Sequence, residues 1–590
     1  PTRRAICLCP AALPLWRIKD KRMSERSFRQ TPHTSHDGSN SSRLSILLFI
    51  FIFIVLCLLA RLVYLQVIKG PEFSQAAADS RTLSVNISPH RGTIYDRNGN
   101  VLATSVDAMT IYANPKEIED VSSAAEAVAS ALGGDADEYA ELLKQDTTFV
   151  YLKRKADMDA AEALKSEGIV GIYYIEDTKR VYPYGKVAGQ VLGFVNVDDE
   201  GVSGLELYYD DILKGTPGKL VVQQGGGGIP IPGGTEVDEP AVDGQDIVVS
   251  IDIDMQSYLE KRLAEGVSTI EGEDGRAVLM DASTGELLAI ASTPYFDPSN
   301  PSDSEVGSDS LKTVTQAYEP GSTFKTASMM AMLEAGVVTP DTTIFAPAEL
   351  SADEYVITDA HERGDMTMTA RYVIQDSSNI GTSLLVENYL GFRPLYDKIV
   401  SYGLNGQTGI DYPGEAAGYL SPDVDTWPLI TKYNVTFGQG ISTTPLQMAR
   451  FYGALVNNGV ACTPHFLISK PQTGETLQYD TEQIVENTAA IDPMISMLET
   501  VVEEGTGTGA AIDGYRVAGK TGTAEYVDED MGVYAKSSYN LSFVGVLPDA
   551  STPLVCFVGV NEVPYERNTT EVFKDIMTEA ISRYRVVQSD

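Results

Sequence analysis

An uncharged and mostly apolar run lies near the start of the chain, at residues 44–60, where only Ser45, Cys57 and Ala60 are not large and apolar. Arg43 and Arg61 bracket this run, and apolar residues continue beyond Arg61 to residue 65. A helix needs about 20 apolar residues to cross a bilayer, and a long arginine side chain near its end can reach the interface. A cleavable signal sequence has a shorter apolar part and ends at a small-residue site, which Ala60-Arg61-Leu62 does not provide. The pattern therefore predicts one retained membrane-spanning helix over residues 44–65.

Between the span and Gly244, the pattern predicts a mixed α/β domain. Residues 91–103 read as a strand, a tight turn at Asn98-Gly99 and a second strand. Residues 122–167 are rich in alanine, which favours helix. Glycines and prolines crowd residues 225–234 and indicate a loop or linker. We therefore expect a domain boundary near Gly244.

After Gly244, the elements predict a domain of the α+β class. A helix is expected over residues 255–266, and the mostly apolar segment 323–334 predicts a helix that is buried on most sides. Two early strands and three late strands, with a helical block between them, favour one antiparallel sheet flanked by helices. The predicted strands are 276–283, 286–292, 515–526, 541–547 and 554–560, and the predicted last helix is 571–585.

Charge orients the predicted span. Residues 1–43 hold nine Lys and Arg residues against three acidic residues, whereas the whole chain has a formal net charge of −38. Basic segments stay in the cytoplasm, so the large acidic part is expected outside the cell, and its acidity excludes a nucleic-acid partner. Met23 is the expected natural start, with residues 1–22 as an upstream extension. The expected organisation is a cytoplasmic tail over 1–43, a transmembrane helix over 44–65, one domain over 66–244 and a second domain over 245–590.

The sequence contains no pattern of metal ligands. The five histidines, at positions 33, 36, 90, 361 and 465, are scattered and form no zinc motif. Beyond the span, the chain has two cysteines, Cys462 and Cys556, and the sequence alone does not establish whether they pair. We expect neither a metal nor a cofactor.

Ser322 and Lys325 form the first candidate for chemistry. They are three positions apart, so on a helix their side chains share one face. Pro320-Gly321 indicates a turn just before the serine. A buried lysine loses proton affinity and can act as the base that a serine nucleophile needs. The start of the helix would also offer free N–H groups to a carbonyl oxygen that becomes negatively charged.

Two further motifs follow in order. Ser377-Ser378-Asn379 reads S-x-N, and Lys520-Thr521-Gly522-Thr523 reads K-T-G-T. An S-x-x-K pair alone occurs by chance about once in a chain of average composition, but K-T-G is much rarer. The three motifs in this order and spacing are the signature of enzymes that acylate a serine with penicillin-like or D-Ala-D-Ala substrates.

The last motif also overlaps a phosphate-binding loop pattern, which would indicate an NTPase. Residues 514–521 match G-x-x-x-x-G-K-[ST]. A phosphate loop must open a helix, whereas residues 521–527 continue in a β-favouring pattern. We therefore reject the NTPase interpretation.

From Arg43 onward, the chain resembles the class B penicillin-binding proteins, which are monofunctional peptidoglycan D,D-transpeptidases. The resemblance implies a penicillin-binding, β-lactamase-like transpeptidase domain over 245–590 and an elongated mixed α/β pedestal of the dimerisation type over 66–244. The anchor and pedestal look more like the division-and-sporulation branch than the elongation branch. Besides the three motifs, the similar segments are Arg61-Leu62-Val63-Tyr64-Leu65-Gln66, residues 91–103, Tyr182-Pro183 with Gly189, Gly193, Gly204 and Glu206, and Gly438-Gln439-Gly440 before Thr443-Thr444-Pro445.

The resemblance also implies catalytic roles for the first two motifs. Ser322 would be the acylated nucleophile, and Lys325 would be its base. Ser377 and Asn379 would contact the base and the leaving amine.

The same resemblance assigns the last motif to substrate binding. Lys520, Thr521 and Thr523 would bind the substrate carboxylate. Gly522 would leave room for the substrate along the strand. The backbone N–H groups of Ser322 and Thr523 would form the oxyanion hole.

The implied function is cross-linking of the cell wall at the division septum, through an acyl-enzyme that β-lactams also form. The implied partners are peptidoglycan stem peptides, β-lactams, the membrane, a membrane glycan polymerase of the elongation, division or sporulation type, and other division proteins. Two alternatives stay open: a β-lactam sensor or inactive scaffold, and a hydrolytic D,D-carboxypeptidase or β-lactamase. The complete motifs argue against the first, and the large pedestal argues against the second.

Overall fold

The computed structural model describes residues 40–72, 82–224, 230–528, 533–564 and 567–588. The chain divides into two compact units. One unit comprises residues 1–83 and 224–229, and the other comprises residues 84–223 and 230–590. The first contains the N-terminal helix, and the second contains the motif residues.

The N-terminal helix, α1 (Asn40–Val63), continues as a π-helical turn over Tyr64–Ile68. Its large apolar side chains are exposed, among them Phe49 at 77% and Phe51 at 66%. The apolar stretch Leu44–Ile68 is 25 residues long, which is enough to cross a bilayer. The predicted helix is confirmed, and α1 starts four residues before the predicted span.

The region before Gly244 contains strands and helices, as predicted. Strand β3 is the central one, because it pairs with β2, β4 and β5, all antiparallel. The strands are β1 (Thr82–Ile87), β2 (Ile94–Tyr95), β3 (Val101–Ala113), β4 (Val150–Asp157), β5 (Ile172–Val181), β6 (Gly218–Gln224) and β7 (Pro230–Glu239), and the helices are α2 (Val121–Leu132), α3 (Ala136–Leu143), α4 (Met158–Ser166), α5 (Gly189–Leu192), α6 (Gly204–Tyr208) and α7 (Asp210–Leu213).

The expected helix over residues 122–167 is interrupted, so that prediction is wrong in part. Strand β4 lies between α3 and α4 and pairs with β3, with Tyr151 opposite Tyr112. Leu152 and Ala156 of β4 are buried in one cluster with side chains of α2, α3 and α4. Pairing with β3 and burial under these helices therefore override the helix-favouring composition of the segment.

The prediction of a loop over residues 225–234 is also wrong for residues 230–234, the part that the structure describes. Pro230 to Gly234 belong to β7, which is the outer strand of a three-stranded sheet in the order β1–β6–β7. An edge strand tolerates proline because it needs no ladder hydrogen bond on its outer side. Residues 225–229 lie outside the described residues.

The region after Gly244 is built on the predicted antiparallel sheet, in the order β10–β9–β21–β20–β19. The strands of this region are β8 (Ile247–Val249), β9 (Asp274–Asp281), β10 (Leu287–Ser292), β11 (Thr343–Ala346), β12 (Leu350–Ala352), β13 (Tyr355–Ile357), β14 (Met366–Thr369), β15 (Val460–Cys462), β16 (Leu467–Lys470), β17 (Glu475–Thr476), β18 (Thr481–Gln483), β19 (Ala518–Asp528), β20 (Val533–Val546) and β21 (Leu554–Val563). Its helices are α8 (Ile253–Ile270), α9 (Lys312–Thr315), α10 (Lys325–Glu334), α11 (Ala370–Gln375), α12 (Asn379–Leu385), α13 (Phe392–Ser401), α14 (Leu429–Thr436), α15 (Pro445–Leu455), α16 (Ile491–Glu503) and α17 (Thr570–Tyr584).

Both faces of this sheet are buried, because successive side chains of a strand point to opposite faces. On one face, Ala277 and Leu279 of β9 belong to the same buried cluster as residues of α8 and α17. On the other face, Val278 and Met280 belong to the cluster that contains α10, α15 and α16. The helices thus cover the sheet from both sides, and the α+β class is confirmed.

A second sheet connects the regions on either side of Gly244. Strand β8 pairs parallel with β2 and antiparallel with β16. The sheet therefore joins strands that precede and follow the predicted boundary. The boundary near Gly244 stays a prediction.

Candidate active site

A short 3-10 turn, Gly321–Phe324, presents Ser322 just before α10. Gly321 has φ +55°, and a Cβ at this position would lie 2.9 Å from the carbonyl oxygen of Thr523. A residue with a side chain would be strained by this backbone and would press against β19. Glycine at this position therefore lets the Ser322 turn lie close to β19.

Lys325 connects the first two motifs. Its Nζ donates to Ser322 Oγ over 2.9 Å, to Ser377 Oγ over 3.1 Å and to the Ser377 carbonyl. The side chain is 0% exposed. Burial lowers the pKa of Lys325 to about 7, against the raising effect of the Asp359 and Asp376 carboxylates. Near neutral pH, much of Lys325 is therefore neutral and can accept the Ser322 proton.

The α10 helix that carries Lys325 is buried along its whole length, as predicted. The buried Tyr452 fixes its first turn. The Tyr452 hydroxyl donates to the Thr323 carbonyl over 2.8 Å and lies 2.6 Å from Thr326 Oγ1. Lys325 lies fully buried on this helix, and burial is the largest cause of its lowered pKa.

The S-x-N motif spans the turn between α11 and α12, and Asn379 is the first residue of α12. Ser377 has φ +61°, a left-handed conformation that is uncommon for a residue with a side chain. Ser378 caps α12, because its Oγ accepts from the Gly381 N–H over 2.8 Å. Asn379 Nδ2 donates to the Thr358 carbonyl over 3.0 Å. The turn therefore directs Ser377 toward Lys325, while the two residues after it are held by their neighbours.

Lys520 lies on β19, the outer strand of the five-stranded sheet. Its side chain is 0% exposed, and Nζ donates to the Thr521 carbonyl over 3.2 Å. Burial, and then the nearby Lys325, hold the pKa of Lys520 well below its ordinary value. The two lysines are thus close enough to influence each other electrostatically.

The three residues after Lys520 have different environments. Thr523 is exposed, whereas Thr521 is half-buried and its Oγ1 lies 2.6 Å from Thr506 Oγ1. A Cβ on Gly522 would overlap Ser542 Oγ and lie 2.9 Å from Thr323 Cγ2. The glycine is therefore required for packing toward the protein interior, whereas the sequence analysis expected it to make room for substrate.

The structure thus brings together residues from the three motifs. Ser322, Lys325 and Ser377 form one hydrogen-bonded cluster, and the Ser322 turn packs on β19. Sequence reasoning missed the residues that support the motifs, which are Ser378, Thr506 and Asp359. Ser378 had a detectable signal, since a serine directly before a helical segment is a preferred cap. Asp359 and Thr506 had none, because they precede the residues that they contact by 19 and 15 positions and belong to no motif.

The phosphate-loop alternative requires a helix after Lys520-Thr521. Instead, the chain continues as β19 to Asp528. The NTPase interpretation is therefore rejected on geometry as well as on sequence pattern.

Cys462 and Cys556 are free, buried thiols. Within the ranges that the structure describes, no group of three or more His, Cys, Asp or Glu side chains could hold a metal ion. The described site thus consists of serine, lysine, asparagine and threonine side chains with backbone N–H and carbonyl groups.

Comparison with known protein families assigns both regions of the chain. Residues 275–578 match the penicillin binding protein transpeptidase domain. Residues 86–249 match the penicillin-binding protein dimerisation domain. The chain belongs to the penicillin-binding transpeptidases.

Individual members of the penicillin-binding transpeptidases resemble the chain over most of its length. Stage V sporulation protein D of Bacillus subtilis is 32% identical over 532 residues, which cover 87% of this chain and 81% of that protein. Peptidoglycan D,D-transpeptidase FtsI of Escherichia coli is 33% identical over 553 residues, which cover 92% of this chain and 91% of that protein. The predicted resemblance to class B members of the division and sporulation type is confirmed.

A solved structure of a penicillin-binding transpeptidase has the same fold. The crystal structure of penicillin-binding protein 3 from Mycobacterium tuberculosis, complexed with aztreonam, gives a TM-score of 0.66 at 26% identity. The structural match covers 86% of this chain and 98% of the Mycobacterium tuberculosis chain. Among the residues that the structure describes, one N-terminal helix is long and apolar enough to cross a membrane, and together with the family match it makes this chain a membrane-anchored member of the family.

Proposed function

We propose that the protein is a peptidoglycan D,D-transpeptidase that acylates Ser322 with a D-Ala-D-Ala stem peptide and transfers the acyl group to an acceptor amine. The observation that carries this proposal is the position of Lys325 Nζ between Ser322 Oγ and Ser377 Oγ. A lysine whose pKa is about 7 is suited to take and return a proton near neutral pH.

These contacts support the following steps. Neutral Lys325 accepts the Ser322 proton as Oγ attacks the carbonyl carbon of the penultimate D-Ala. The C–N bond then breaks, a serine ester forms, and the leaving D-Ala amine takes up a proton through Lys325 and Ser377. An acceptor amine attacks the ester carbonyl and gives its proton to Lys325. The C–O bond then breaks, Ser322 Oγ takes the proton back from Lys325, and the new amide bond is the cross-link. A β-lactam would enter the first step, but its amide nitrogen stays tethered in the opened ring.

Strand β19 supplies the surface on which the substrate would lie. On its outer side it has no strand neighbour within the described residues, so its backbone can pair with an extended peptide. The backbone N–H groups of Ser322 and Thr523 would receive the developing oxyanion, and the Gly321 turn keeps these two residues close. Lys520, Thr521 and Thr523 would bind the terminal carboxylate.

The carboxylate site leads to a prediction for Lys520→Ala. We expect acylation by a penicillin acid to fall roughly 10- to 100-fold, because a charge-assisted hydrogen bond is lost. Acylation by the methyl ester of the same penicillin should change much less. Second-order acylation rate constants for both compounds measure this difference. Lys470→Ala, which removes a half-buried lysine paired with Glu475, should preserve the wild-type ratio of the acid rate constant to the ester rate constant. If Lys520→Ala kept the wild-type ratio of acid to ester acylation rate constants, Lys520 would be excluded as the carboxylate anchor.

An acceptor assay tests the proposed function against its alternatives. Purified, detergent-solubilised protein receives a D-Ala-D-Ala-terminated peptide donor together with a labelled D-amino acid as the acceptor amine. We expect the exchange product to exceed the hydrolysis product and to increase with acceptor concentration. A carboxypeptidase or β-lactamase would release hydrolysed product at a rate independent of acceptor. A sensor would bind penicillin covalently and release neither product.

We also propose the orientation and organisation expected from the sequence. Residues 1–43 lie in the cytoplasm, the pedestal over 66–244 and the transpeptidase domain over 245–590 lie outside, and the basic charge before α1 supports this orientation. A reporter that works only in the cytoplasm should be inactive when fused after Asp590. Proposed protein partners are a membrane glycan polymerase and other division proteins, and their absence from cross-linked complexes at the septum would contradict that part of the proposal.

A further inference from the structure

Asp359 is a nearly buried carboxylate that belongs to none of the three motifs. It follows β13, and its side chain is 6% exposed. Its Oδ1 accepts from the Ile380 N–H over 3.0 Å, and its Oδ2 accepts from Ser378 Oγ over 2.8 Å. Asp359 therefore contacts both the central residue of the S-x-N motif and the start of α12.

The preceding residue adds a third contact to the same turn, because the Thr358 carbonyl accepts from Asn379 Nδ2 over 3.0 Å. Three consecutive residues after Ser377 are thus bound to the segment 358–359. Ser377 itself has the left-handed φ of +61°, a conformation that persists only where surrounding contacts enforce it. The contacts from residues 358–359 are of this kind, and they lie directly next to the strained serine.

Arg363 holds Asp359 in place. Its guanidinium forms an ion pair with Asp359 Oδ2, with N–O distances of 2.6 and 2.7 Å. Arg363 Nη1 also donates to the carbonyl groups of Ala346 and Pro347. The Arg363 side chain is 12% exposed, so removing either member leaves a poorly solvated charge.

We propose that Asp359 is a positioning residue of the transpeptidase: Arg363 holds its carboxylate in place, and Asp359 in turn keeps Ser377 within hydrogen-bond reach of Lys325. This inference rests on the proposed function, because it assigns Lys325 the role of base. It adds a control element outside the three motifs.

The charged groups around Lys325 fix the direction of the expected electrostatic effect. Asp359 and Asp376 raise the pKa of Lys325. Lys325 in turn lowers the pKa of Lys520, which is the nearby cation. Arg363 and His361 lower the pKa of Asp376, whereas Asp359 raises it. Removing the Asp359 charge should therefore lower the Lys325 pKa, and removing the Arg363 charge should raise it.

The test compares the pH dependence of acylation in two variants. Acylation requires neutral Lys325, so its rate should rise with pH through a midpoint near the Lys325 pKa. In Asp359→Asn, we expect the maximal acylation rate to fall roughly 10²-fold, because a misplaced group typically costs that much, and the midpoint to move to lower pH. In Arg363→Gln, the midpoint should move to higher pH. A purely structural role predicts no shifts of opposite direction.

Asp365→Asn is the matched control. Asp365 lies in the same segment and accepts from the Ala348 N–H over 2.8 Å, so its removal should preserve both the rate and the midpoint. Thermal unfolding shows whether Asp359→Asn and Arg363→Gln are folded. If one of them is not, the pH midpoint of the other variant decides the test. Wild-type midpoints in the folded variants, or shifts in the same direction, would overturn the proposal for Asp359. A wild-type protein that is never acylated would instead overturn the proposed function.

Discussion

Ser322→Ala should abolish covalent labelling by a fluorescent penicillin and leave the unfolding temperature close to the wild-type value. Ser322 Oγ is the proposed nucleophile, and it accepts a hydrogen bond from Lys325 Nζ. Alanine removes this atom without removing packing, since the turn is held by the Gly321 and Thr323 backbones. Loss of the nucleophile prevents ester formation altogether, so the expected effect is complete rather than partial.

Ser328→Ala provides the matched control for this experiment. Ser328 lies on α10, directly after the Ser322 turn, is fully buried, and donates to the Thr436 carbonyl over 2.7 Å. Its loss should lower the free energy of unfolding by about 1 kcal/mol and leave penicillin labelling intact. Labelling is measured on a denaturing gel, on which only a covalent adduct survives. A labelled Ser322→Ala protein would place the nucleophile at another residue.

Much of the fold was predictable because the signals are local. The β9–β10 hairpin, the three late strands and α17 each have an apolar pattern of their own in the sequence, and the sheet follows from their order. Strand β4 was missed because its residues favour helix and become a strand only through pairing with β3. Pro230 and the following glycines suggested a loop, and only the edge position of β7 makes them compatible with a strand.

The candidate site was predictable to a similar extent. The spacing of Ser322 and Lys325 and the apolar surroundings of α10 already indicated a buried lysine with weakened proton affinity. The left-handed Ser377 and the contacts of Asp359 were not predictable, because they arise from segments that meet only after folding. The interior packing of Gly522 was missed for the same reason, since its neighbour Ser542 lies on the adjacent strand.

Lys325→Arg should be nearly as damaging to acylation as Lys325→Ala. Arginine keeps its charge at any pH that the protein tolerates, so it cannot accept the Ser322 proton. Loss of a general base typically lowers the rate by 10²–10⁴-fold. In the wild type, burial places the pKa of Lys325 at about 7, so acylation should rise as pH increases through about 7 and then level off. Both variants should lose this rise, because neither has a group that titrates at this position.

A chromogenic cephalosporin measures acylation rates across the pH range, and thermal unfolding checks that each variant is folded. The arginine variant separates two roles that alanine cannot, because it retains a positive charge near Ser322 and Ser377 while removing the base. Near-normal acylation by Lys325→Arg would mean that the lysine acts by its charge alone. The proton of Ser322 would then need another acceptor. Such a result would also remove the basis for the pH shifts expected in the Asp359 and Arg363 variants, since they depend on Lys325 titrating during acylation.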